Sequence, residues 1–98
     1  MKTITTTELE ALLQADDSLN LIDVREVDEY AGGHIKQAKN VPLSELGAKV
    51  DELDRSKPIY VICAAGGRSM NASIYLDSLG FDVTNVDGGM MSWQGEVE

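Results

Sequence analysis

The chain has 98 residues, 43% hydrophobic and 26% charged, the make-up of one globular domain with a single core; this argues against a disordered chain. Eight basic against seventeen acidic residues give a net charge of −9, a field that repels phosphate backbones and anionic lipid, so nucleic acid and membrane surfaces are poor partners. A single cysteine and a single histidine exclude an internal disulfide and a structural zinc site and point to no cofactor, while the lack of any apolar run near the roughly 18 residues of a membrane span, or of a signal-peptide segment after Met1, leads us to expect a reduced, cytoplasmic setting.

In chain order, Ile4 predicts a short edge strand. Thr5 with Glu8 three residues on has the form of a capping box, and Leu9, Leu12 and Leu13 give the stripe of a helix that ends near Ala15. Leu19 to Val24 reads as a strand inside a parallel sheet, with Asp23 and Arg25 at its carboxyl end. Ligand sites in open α/β sheets gather beyond that end of the strands. The preferred role for Asp23 and Arg25 is to organise this rim through hydrogen bonds and an ion pair, with Arg25 also a candidate ligand for a substrate anion. Glu26 to Ala31 predicts a short helix with Val27, Tyr30 and Ala31 turned inward and Gly32-Gly33 as its stop. His34 invites a Cys–His dyad, but nearness in sequence is not nearness in space, and a packed, hydrogen-bonded ring is preferred. Asn40-Val41-Pro42 predicts a strand closed by proline. Leu43, Leu46, Val50 and Leu53 mark the next amphipathic stripe, with Ser44 as its cap and Gly47 as a gap that admits another backbone.

The most informative stretch is Ile59-Tyr60-Val61-Ile62-Cys63-Ala64-Ala65-Gly66-Gly67-Arg68-Ser69. Four apolar residues predict a strand buried on both faces. Ala64 to Gly67 are small enough for the backbone to curl beneath the sulfur, both glycines being free to take positive φ. Ser69 opens a helix with Ala72, Tyr75, Leu76 and Leu79 on one face and Gly80 at its C-terminal cap. Cys63 thus stands at the mouth of a helix, where free N–H groups and the positive end of the dipole lower a thiol pKa and welcome an anionic sulfur or substrate. Arg68, the only charge in the loop, points either to a substrate or into an ion pair with Glu26 or Glu29. Phe81 to Val86 predicts the last strand. Asp87-Gly88-Gly89 then leads to a helical turn whose Met90, Met91 and Trp93 plug the sheet or line a pocket. Strands alternating with helices predict an α/β fold with about five mainly parallel strands, helices on both faces, and one domain over residues 1–98.

Leu21-Ile22-Asp23-Val24-Arg25-Glu26, Glu29-Tyr30, Gly33-His34-Ile35, Asn40-Val41-Pro42, Cys63 through Ser69, Gly80-Phe81 and Gly88-Gly89 followed by Trp93 occur together and in order; on these the chain resembles a single rhodanese domain over nearly its whole length. It departs from the family at Lys36-Gln37-Ala38, where proline and glycine are usual. The resemblance implies a thiosulfate sulfurtransferase: Cys63 takes sulfane sulfur from thiosulfate or a persulfide donor and passes it, as a persulfide, to a thiol or cyanide. The N–H groups of Ala64, Ala65, Gly66, Gly67, Arg68 and Ser69 would hold the anionic sulfur. The implied partners are a small sulfur-containing anion, a thiol acceptor, and a protein sulfur donor or acceptor. Two alternatives stand beside it. A non-enzymatic sulfur carrier, persulfide sensor or partner-binding module would use the same fold without fast turnover. A rhodanese-like phosphatase or arsenate reductase would have five residues between cysteine and arginine, against four here, Ala64 to Gly67.

Overall fold

Ile59-Tyr60-Val61-Ile62 is apolar on both faces, and such a strand can be buried only with neighbouring strands on each side and helices above and below. The computed structural model, which describes residues 1–98, places this strand in the middle of the sheet. In chain order the elements are β1 (Lys2–Ile4), α1 (Thr6–Ala15), β2 (Leu21–Asp23), α2 (Val27–Ala31), β3 (Ala38–Asn40), α3 (Leu43–Lys49), a 3-10 turn at Val50–Glu52, β4 (Ile59–Ile62), α4 (Gly67–Ser78), β5 (Val83–Val86) and α5 (Gly89–Ser92). The sheet order is β1-β5-β4-β2-β3 and every pairing is parallel. The fold is therefore the α/β arrangement expected, with five strands.

Alternation along the strands divides the core. Ile22, Val24, Ile59, Val61 and Val83 meet Leu46 of α3 and Ala72 and Leu76 of α4 on one face; Leu21, Ile62 and Val86 meet Leu9 and Leu13 of α1 on the other. Cys63 continues the Ile59–Val61 series, so its side chain turns toward the α4 side. Asp23 is in register with Ile62, and the Val24 N–H donates to the Ile62 carbonyl at 2.9 Å, which brings the segments leaving β2 and β4 onto one rim. The Thr5–Glu8 capping box forms as read, and α1 ends at Ala15. No helix is long and apolar enough to cross a membrane.

α4 starts at Gly67, two residues early, and buries Ser69, Ala72, Ser73 and Leu76, leaving Tyr75 and Leu79 exposed. Ala72 and Leu76 lie on the buried face as expected, but that stripe is completed by two serines, whose small side chains let the helix lie close on the sheet, so a search for large apolar residues turns the face toward Tyr75 and Leu79. Val27 and Ala31 of α2 face solvent and only Tyr30 is half-buried, because α2 is a single turn held by its cap and by rim contacts rather than by an apolar face. Pro42, not Ser44, stands at the N-cap of α3, and the Ser44 hydroxyl donates to the Glu26 carboxylate at 2.8 Å. Gly47 admits no backbone: a Cβ there would meet only the Tyr75 hydroxyl, at 3.8 Å. Since glycine inside a helix costs conformational entropy and this site has room, Gly47→Ala should stabilise the protein by about 0.5–1 kcal/mol. A urea melt checks it; a lowered midpoint would mean that the space is needed.

Candidate active site

β4 ends at Ile62 and the chain turns at once, with Gly66 at φ 107 as the left-handed residue that sends it into α4. Of the two loop glycines only Gly66 needs that conformation; Gly67 is already the first helical residue. The turn wraps its backbone over Cys63, which is only 1% exposed. The sulfur is nevertheless not sealed among apolar groups. The Gly66 N–H donates to Sγ at 3.0 Å, the backbone N–H groups of Ala65 and Ser69 also face it, and the Ser69 Oγ lies 3.3 Å away. In the thiol form the S–H donates to Ser69 Oγ, whose own proton goes to the Gly66 carbonyl at 3.1 Å. Once the thiol ionises, that hydroxyl can turn its proton to the thiolate.

Burial is the largest single influence on the Cys63 thiol and pushes its pKa up; hydrogen bonds from the Ser69 hydroxyl and from the N–H groups of Ser69, Gly66 and Ala65 together outweigh it, so the pKa lies below its ordinary value. The folded protein therefore binds this proton less tightly than the unfolded chain. The corresponding stabilisation is complete above the unfolded thiol pKa and is lost as pH falls through the folded one.

The carbonyls of the loop have their own partners. The Met90 N–H donates to the Cys63 carbonyl and the Met91 N–H to the Ala64 carbonyl, each at 2.8 Å. Arg68 does not point into the bowl. It grips Glu29 with two hydrogen bonds, Nη1 to Oε1 at 2.6 Å and Nη2 to Oε2 at 2.8 Å. That guanidinium, with the Glu26 N–H second, lowers the Glu29 carboxyl from 4.5 to about 2, and the carboxylate in turn raises Arg68. The pair's contribution to stability is complete above the ordinary carboxyl pKa and lost as pH falls toward 2; with both partners a third exposed it is worth less than about 1 kcal/mol.

Asp23 is fully buried and accepts hydrogen bonds from the Arg25 backbone N–H at 3.0 Å, from Nε at 3.1 Å and from Nη2 at 2.9 Å. The remaining Arg25 donors reach the carbonyls of Glu29, at 3.3 Å, and Gly33, at 2.8 Å. The fork of Arg25 is thus occupied by the chain itself, and it braces α2 and the turn after it. The His34 ring stacks on Tyr30 with centroids 3.7 Å apart, and its Nδ1 is 2.8 Å from the Tyr30 carbonyl, away from the loop over Cys63. Met90 and Trp93 pack into the α1-side core, whereas Met91 is 80% exposed. The largest cavity, about 730 Å³, lies between the end of α1, Lys36-Gln37 and Trp93 and includes none of the residues around Cys63. A bowl that encloses one sulfur atom is small by construction.

Two parts of this arrangement escaped the sequence reading. Ser69 was expected to offer its N–H, but its hydroxyl also reaches the sulfur; a serine six residues after a cysteine across a tight turn is the available signal. The contact of the Gly88–Gly89 segment with the loop carbonyls joins residues about 25 positions apart and has no local signature.

The Rhodanese-like domain family matches residues 5–96. A Bacillus subtilis protein named "Putative sulfurtransferase YtwF" is 45% identical over 98 residues, covering 100% of this chain and 95% of that protein. Another from the same organism, "Putative sulfur carrier protein YrkF", is 42% identical over 94 residues, covering 92% of this chain and 51% of that protein. Among solved structures, the crystal structure of a rhodanese-like domain protein from Staphylococcus aureus superposes with a TM-score of 0.92 at 36% identity, covering 100% of this chain and 97% of that one.

If the Ser69 hydroxyl stabilises the thiolate, Ser69→Ala should move the midpoint of the pH–rate profile for iodoacetamide alkylation of Cys63 upward by about one unit, the size of one hydrogen bond to a charged group. An unmoved midpoint in a folded variant would remove the hydroxyl from this role.

Proposed function

The chain belongs to the family of rhodanese-like domains, and from that premise we propose that it is a sulfurtransferase in which Cys63 is the nucleophile and carries sulfane sulfur as a persulfide. The observation that supports this best is the convergence of the Gly66, Ala65 and Ser69 N–H groups and the Ser69 hydroxyl on one sulfur. A thiolate attacks electrophilic sulfur, and the same donors suit the terminal sulfur of the persulfide. With thiosulfate as donor, Cys63 Sγ forms a bond to the outer sulfur while the bond to the sulfonate sulfur breaks, and sulfite leaves with that electron pair. An acceptor thiolate, or cyanide, then bonds to the terminal sulfur and the Cys63 thiolate is released. No step needs a metal, a cofactor or an external base. Ala64, Gly67 and Arg68 contribute backbone donors around the incoming anion, and Asp23 with Arg25 holds the rim. A cytoplasmic location fits a cysteine that must remain reduced.

A second reading is favoured by the Arg68–Glu29 pair. With its one cation spent on a carboxylate, the loop has no free positive charge for a small dianion, and the chain as a whole carries −9. A protein-bound persulfide as donor or acceptor would make the domain mainly a sulfur carrier.

Incubation with thiosulfate should add one sulfur atom to the intact mass of the wild type and none to Cys63→Ser. No adduct on the wild type with thiosulfate or a protein persulfide, or an equal adduct on the variant, would refute the role of Cys63. Glu29→Gln should release Arg68 and lower KM for thiosulfate by about two- to fivefold, the worth of an exposed ion pair. A KM that stays or rises would mean that Arg68 gives the anion nothing.

A further inference from the structure

We infer that Gly89, together with the backbone N–H groups of Met90 and Met91, is the device that aims the Ala65 N–H at the Cys63 sulfur; Gly89 is a positioning residue for the site. In a planar trans peptide the carbonyl of one residue and the N–H of the next point in opposite directions. The Ala64 carbonyl is drawn toward α5 by the Met91 N–H at 2.8 Å, so the Ala65 N–H must face the other way, where the sulfur lies. The Cys63 carbonyl is held by Met90 in the same manner, which fixes the Ala64 N–H on the side away from α5. Without these two bonds the Ala64–Ala65 peptide, flanked by small side chains, is free to flip and would present a carbonyl oxygen to the thiolate.

The close approach depends on Gly89 having no side chain. A Cβ there would come within 2.6 Å of the Ala64 carbonyl oxygen and nearer still to that of Cys63; both obstacles are backbone and cannot rotate aside. Gly88 differs, since the closest atom to a Cβ on it would be the Ser92 hydroxyl, which can rotate aside, with the Ser92 Cβ at 3.0 Å. Gly89 also has φ 58, so a side chain is disfavoured by conformation as well as by space. The mount is firm on its far side: Met90 and Trp93 pack into the α1-side core, and the Thr6 hydroxyl donates to the Ser92 carbonyl at 3.3 Å. Met91 contributes through its N–H alone, its side chain being 80% exposed. This role rests on Cys63 being the reactive group and not on which sulfur compound reaches it.

The test is the pH dependence of Cys63 alkylation by iodoacetamide in the full chain, followed by intact mass, with folding checked by circular dichroism. Gly80→Ala serves as the matched control: Gly80 has φ 90 in open surroundings, its nearest neighbour being the Arg55 guanidinium at 3.8 Å, so it imposes similar strain far from the loop. Gly89→Ala should raise the midpoint by about one unit, which is about tenfold less thiolate at a fixed pH below both midpoints, while Gly80→Ala melts earlier at an unchanged midpoint. Replacing Met91 by its α-hydroxy acid analogue, which exchanges the N–H for an ester oxygen and leaves every side chain in place, should raise the midpoint too, and it decides the matter if Gly89→Ala does not fold. A wild-type midpoint in the ester variant, or an equal shift in Gly80→Ala, would overturn the inference. Since no sulfur donor is used, failure of persulfide formation leaves this result standing.

Discussion

A sulfur anion that is almost wholly withdrawn from water persists only where other donors replace the water, and this constraint governs the molecule around Cys63. The donors are peptide N–H groups, which are fixed in direction, carry no net charge and need no side-chain ordering. Ala64 and Ala65 are small so that the backbone can come within bonding reach. β4 must end at Ile62 for the sulfur to sit under the turn, and α4 must begin at Gly67 for its first free N–H groups to face the same place. Burial alone would push the thiol pKa up; its net shift is downward only because several donors converge.

The parallel sheet supplies the frame. Because β2, β4 and β5 run in one direction and in close register, the segments that leave them gather on one rim: Asp23 to Glu29, the Cys63 loop, and the Gly88–Gly89 turn. Both arginines on this rim are committed to carboxylates. Asp23 holds Arg25, Arg25 holds the carbonyls after α2, and Glu29 of α2 holds Arg68. The rim is braced by charge pairs that leave no cation free, so the attraction available to a substrate comes from backbone dipoles. The proposed sulfur chemistry asks for no such cation, since peptide dipoles can hold a polarisable sulfur anion.

Much of this was legible in the sequence, for a local reason. The capping box at Thr5, the aliphatic runs of β2 and β4, the proline after β3 and the glycine after α4 act within a few residues, and their physics is the same whatever the rest of the chain does. A lone cysteine followed by two alanines and two glycines at the start of a helix is a similarly local signal, so the strand–turn–helix setting of Cys63 could be read from the sequence alone. Beside the cap of α3 and the role of Gly47, the sequence misleads chiefly about faces. Val27, Tyr75 and Leu79 are apolar at helical spacing yet exposed, while Ser69 and Ser73 are buried, because which stripe of a short helix meets the sheet depends on how close the two can lie.

What only the tertiary structure decided is how distant segments share their polar groups. Whether Arg68 faces a substrate or Glu29, whether Arg25 has a donor to spare, and which way the Ala64 carbonyl points all depend on partners between about 8 and 40 residues away, brought together by the sheet. Sequence fixes the inventory of donors and acceptors; only the folded chain assigns each donor to one acceptor, since a hydrogen bond requires a direction as well as a chemical type.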